Sequence, residues 1–82
     1  MKKVIGYEKN DFQTKEGKSI TGYNVYLAEP ISESKGTGIK VERIYLSDNK
    51  IATAEIDLDE LFDREVAISY NRWGKVEELF LR

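Results

Sequence analysis

Apolar and polar positions alternate with a period of two along most of this chain, and the alternation predicts strands. Lys3 to Phe12 reads as a first strand, with Val4 and Gly6 on one side and Ile5 and Tyr7 on the other; Gly6 marks a bend or a close backbone approach. After the turn Gln13-Thr14-Lys15-Glu16-Gly17-Lys18, the run Ser19 to Ala28 forms a second strand. Thr21, Tyr23, Val25 and Leu27 share one face, and Ile20, Gly22, Asn24 and Tyr26 share the other. Pro30 ends it, since proline has no donor for a ladder, and residues 32–38 form a surface loop. In the third strand, Ile39 to Leu46, the phase slips: Ile39 and Val41 are apolar in one register, Ile44 and Leu46 in the other. A bulge near Glu42 and Arg43 would account for the slip and aim Arg43 or Tyr45 outward.

Periodicity then gives way to capping chemistry. Ser47-Asp48-Asn49-Lys50 supplies an N-cap before Ile51 to Ala54, and Asp57 to Phe62 predicts a second short helical turn. The chain closes on a hairpin, Val66 to Tyr70 and Val76 to Leu81, joined by Asn71-Arg72-Trp73-Gly74-Lys75. Its tip holds the only tryptophan, set between two cations where a turn ordinarily carries small polar residues. The order is strand, strand, strand, short helix, strand, strand. That is the order of a five-stranded OB-fold-like Greek-key barrel, an all-β domain with a short helix. An SH3-like barrel is the competing expectation for a chain of this size. Val25, Leu27, Ile68 and Leu79 are expected inside.

Composition narrows the chemistry. Eighty-two residues make one domain, 1–82, with a small core, since a chain of this length buries only about 60% of its unfolded surface. With neither cysteine nor histidine, disulfides, thiolate metal sites and the commonest general base are all excluded. Phosphate loops, nucleophile elbows and metal-ligand spacings do not occur either. A non-enzymatic protein is expected, with no cofactor and no metal. The positive start at Lys2 and Lys3 reaches Glu8 before any apolar region develops, and no run approaches membrane-spanning length. The expectation is a cytoplasmic protein without a membrane partner.

The net charge of −2 is unevenly spread: +2 over residues 1–46, −5 over 47–65 and +1 over 66–82. The acidic run Glu55, Asp57, Asp59, Glu60, Asp63 and Glu65 reads as a solvated surface with helix N-terminal acids, rather than a Mg²⁺ site. It is expected on the side away from Arg43, Arg72 and Lys75, because like charge within roughly 8–10 Å at physiological salt weakens a phosphate-binding face.

Gly6-Tyr7-Glu8, Gly22-Tyr23-Asn24-Val25-Tyr26-Leu27 and Tyr70-Asn71-Arg72-Trp73-Gly74-Lys75-Val76 resemble small proteins of Gram-positive phages and conjugative elements, which are similar to the single-stranded-DNA-binding proteins of filamentous phages. The resemblance implies an OB-type barrel and binding of single-stranded DNA through surface tyrosines and basic residues; the residues themselves leave RNA as an alternative partner. It also implies, in many members, a homodimer. An OB ligand face lies on strands two and three with the loops between strands one and two and between four and five. Here that face comprises Tyr26, Arg43 and Tyr45, with Lys15 and Lys18, and with Arg72, Trp73 and Lys75. The alternatives are tyrosines that fill a small core, a tryptophan packed over the barrel end, and a protein-interaction module in which Trp73 and the tyrosines form a dimer or partner interface.

Overall fold

The computed structural model describes residues 2–82. Its main sheet has five antiparallel strands in the spatial order β5-β4-β1-β6-β7. These are β1 (Lys2–Lys9), β4 (Gly22–Pro30), β5 (Ile39–Ser47), β6 (Glu65–Tyr70) and β7 (Val76–Leu81); β2 (Phe12–Gln13) and β3 (Ser19–Ile20) form a separate two-stranded ribbon. The sheet is not closed into a barrel. Among the described residues no ladder joins β5 to β7, so both remain edge strands. A polar tie bridges part of that gap: Glu42 on β5 accepts hydrogen bonds from Lys2 of β1 and from Tyr70 of β6.

The expected first and second strands each break once, at matching places. Asn10 and Asp11 interrupt one and Thr21 the other. The Asp11 carboxylate accepts from the Gly22 N–H at 3.3 Å, while the Asn10 carbonyl is taken by the Tyr45 hydroxyl at 3.0 Å. Side chains thus replace ladder bonds at the bend, as Asx residues readily do, and the ribbon leaves the main sheet there.

The expected bulge at Glu42 and Arg43 is absent, because β4 and β5 pair without interruption from Gly22↔Ser47 to Pro30↔Ile39. The bulge lies instead in β1, where Val4 and Gly6 oppose the adjacent residues Leu27 and Tyr26 and leave Ile5 as the extra residue. Val4 is therefore buried, and Tyr7, opposite Val25, packs against the same core, contrary to the simple alternation that put them on opposite faces. The phase slip in β5 is resolved by exposure: Ile44 and Leu46 are buried, while Ile39 and Val41 stand in solvent on the other face.

The core comprises Val4, Val25, Leu27, Ile44, Leu46, Val66 and Leu79 from the sheet, with Leu58 and Leu61 from helix α2 (Leu58–Leu61). Of the four expected interior residues, Val25, Leu27 and Leu79 are buried and Ile68 is half-buried against the cluster. Both helices start as their sequences dictate. Ser47 caps α1 (Asp48–Thr53) through a bond from the Lys50 N–H, and the Asp57 side chain accepts from the N–H groups of Asp59 and Glu60.

Candidate functional site

Because β4 and β5 stay in register, their outward side chains form an ordered ladder. Tyr26 stands opposite Arg43 and Asn24 opposite Tyr45. The Tyr26 hydroxyl donates to Glu8 on β1 at 2.5 Å, and that bond to a carboxylate raises its pKa by favouring the protonated form. Tyr45 is held more firmly. Its hydroxyl donates to Asn10, its ring meets the edge of Phe12 with centroids 5.6 Å apart, and burial raises its pKa, with Asp11 and Asp48 adding to the effect. The ring also lies over Gly22, where a side-chain Cβ would come within 2.6 Å of the Tyr45 hydroxyl oxygen.

Beside this ladder, the gap between β5 and the terminal hairpin is a cleft of about 580 Å³. Arg43, Tyr45, Lys50, Tyr70 and Lys75 contribute to its walls, together with Glu42. Three cations thus share one concavity with two tyrosines. The single carboxylate among them is engaged by Lys2, whose burial lowers its pKa but whose bonds to Glu42 and Tyr70 outweigh that and hold it protonated.

The hairpin tip is built by one asparagine. Asn71 Oδ1 accepts from the N–H of Trp73 at 2.9 Å and of Lys75 at 3.0 Å, and Gly74, at φ 78°, takes the left-handed position. The turn leaves Trp73 71% exposed, which removes the packed reading of this residue. The Arg72 guanidinium lies 4.5 Å from the Trp73 ring centroid, a cation–π stack that fixes one face and leaves the other open.

The eight expected residues therefore divide. Arg43, Tyr45 and Lys75 meet in the cleft, Tyr26 adjoins it on the same ladder, and Arg72 and Trp73 stand at the tip of the hairpin that bounds it. Lys15 and Lys18 do not join them. They are exposed on the turn that closes the ribbon, held by Thr14 N–H to the Lys18 carbonyl at 2.8 Å, and neither lines the cleft. Lys50 and Tyr70 were not expected in the site. Lys50 falls within the short helix α1 and Tyr70 ends β6; the signal that could have found them is that both flank segments leading into the gap.

None of the acidic run lines this cleft. Asp57 and Asp59 border a different hollow with Tyr7, Tyr23, Ile51 and Ile56, and Tyr7 donates its hydroxyl proton to Asp59. Among the described residues, no three carboxylates gather in a way that would hold a metal ion. Compared with protein-family models, with curated proteins and with solved structures, the chain has no match.

Proposed function

We propose that this chain binds single-stranded nucleic acid, DNA in the first instance, without enzymatic activity and with little sequence preference. The observation that carries the reading is the cleft itself. Arg43, Lys50 and Lys75 stand in one concavity with Tyr45 and Tyr70, beside Tyr26 and an exposed Trp73. Single strands are held by this combination, a cationic groove along the backbone with aromatic faces on which bases stack at roughly 1–3 kcal/mol each. The strand order supports an OB-type barrel left open between β5 and β7, and its ligand face would be β4 and β5 with the hairpin tip. Tyr45, anchored by Asn10 and Phe12, acts as a fixed wall; Trp73 and Tyr26 are the stacking faces. A role in replication or transfer of a mobile element fits this activity.

Titration of labelled oligo(dT) by fluorescence anisotropy at several salt concentrations tests the reading. Binding should weaken with salt, and Arg43→Ala or Lys75→Ala should each flatten the logarithmic slope by roughly 0.7, one phosphate contact on a single strand. Trp73→Ala should cost about 1–3 kcal/mol of affinity without lowering the melting temperature. Salt-independent anisotropy, or no binding at low salt, would refute it and leave the exposed tryptophan to a protein partner.

A further inference from the structure

A second groove runs beside β1, and the cationic cleft shares none of its lining residues. One half, about 400 Å³, lies between Tyr7, Tyr23, Ile51, Ile56 and Leu58. The other, about 310 Å³, is lined by Gly6 and Phe62, and the two halves meet at Tyr7 and Asp59. The walls are mainly aromatic and aliphatic: the Tyr7 and Tyr23 rings meet edge to face with centroids 5.9 Å apart, and Phe62 is 50% exposed. Of these residues only Leu58 is buried, so an occupant keeps one side in water. That suits an extended peptide better than a small molecule, whose sites enclose most of its surface.

The charge over this groove is unmatched within the chain. Asp57 accepts N–H groups at the start of α2 and Asp59 accepts the Tyr7 hydroxyl, but these donors are neutral and compensate neither carboxylate. Among the described residues no ion pair involves Glu55, Asp57, Asp59 or Glu60, whereas Asp63 is matched by Lys3 and Asp48 by Lys9. Lys9 also sets its ammonium 4.9 Å from the Tyr23 ring centroid, so the aromatic pair takes a cation at its rim. We propose that this groove docks a protein partner through an extended segment in which one lysine or arginine lies between two large apolar residues. The partner's cation gains a charge-assisted hydrogen bond from Asp59 and the face of an adjacent ring. Alternate residues of an extended segment face the same way, so its apolar residues stand two positions to either side of the cation. They cover Ile51 and Ile56 in one half and Phe62 in the other. Nucleic acid is repelled by these carboxylates, and a polyamine would leave both apolar halves wet.

Selection from a random heptapeptide display library on the immobilised chain, without nucleic acid, tests this independently of what the cleft binds. Enriched sequences should place lysine or arginine between apolar residues, and the Asp59→Lys chain should fail to enrich them. A synthetic peptide of the enriched consensus, titrated into the ¹⁵N-labelled unmodified chain, gives a second readout that needs no variant. It should shift the signals of Tyr7, Tyr23, Ile56, Asp59 and Phe62 and spare those of Arg43, Tyr45 and Lys75. Asp59→Lys and Phe62→Ser should each raise its dissociation constant at least about tenfold while circular dichroism stays unchanged. No enrichment, enrichment of acidic or purely apolar sequences, or shifts centred outside the groove would each overturn the proposal. So would equal binding of a peptide whose apolar residues are replaced by serine, the mark of a site for any polyamine, or groove signals that move when the chain is concentrated alone, the mark of a second copy.

Discussion

Gly22 shows how far single residues decide the shape of the candidate site. A Cβ there would lie 2.4 Å from the Leu46 carbonyl oxygen and 2.6 Å from the Tyr45 hydroxyl oxygen, so glycine is what lets the Tyr45 ring settle across β4. Gly22→Ala should destabilise the fold by about 1–3 kcal/mol and displace Tyr45; thermal unfolding measures the first, and loss of the Phe12–Tyr45 ring contact in NMR the second. Unchanged stability would mean that Tyr45 is free to move. Trp73 was legible in the sequence because its surroundings, Asn71 and Gly74, are turn residues, and a turn of this kind projects its central side chains. Tyr45 was legible only as an outward position. Its anchors, Asn10 and Phe12, lie more than thirty residues away, and no local pattern announces a contact of that range.

At the scale of elements, the period-two runs located all five strands of the main sheet, and the capping residues Ser47 and Asp57 located both helices. The misreadings were of continuity. A bend made by Asp11 accepting a backbone N–H looks, in sequence, like one polar position in a strand, and a phase slip is satisfied as well by exposing Ile39 and Val41 as by a bulge. The bend is further secured by Asp48, which receives hydrogen bonds from Thr21 and Lys9 that lower its pKa below the ordinary carboxylate value. The sign follows from linkage: a depressed folded-state pKa gives stability that is present above the unfolded value, about 3.9, and is lost as pH falls through the folded one. The difference in melting temperature between the unmodified chain and Asp48→Asn should thus be constant near neutrality and shrink toward strongly acid pH. A difference that persists undiminished in acid would show that the Asp48 charge does not secure the bend.

Over the whole molecule, charge and shape are arranged together. The −5 segment folds into the two short helices and their links, and contributes only Lys50 and its Ser47 cap to the cleft, so the chain's acidic total coexists with a cationic concavity. Barrel closure was a further feature of the architecture that periodicity could not decide, because whether β5 and β7 form a ladder depends on the curvature of the sheet and not on either strand's own pattern. The open seam is what provides the cleft. Single-stranded DNA is proposed to lie along this seam, and an ¹⁵N-resolved NMR titration with oligo(dT) tests that most directly. Shift changes should concentrate at Tyr26, Arg43, Tyr45, Lys50, Tyr70, Trp73 and Lys75, and spare Asp57 and Asp59. Changes centred on the hollow between Tyr7, Tyr23 and Asp59, or none at saturating oligo(dT), would contradict it.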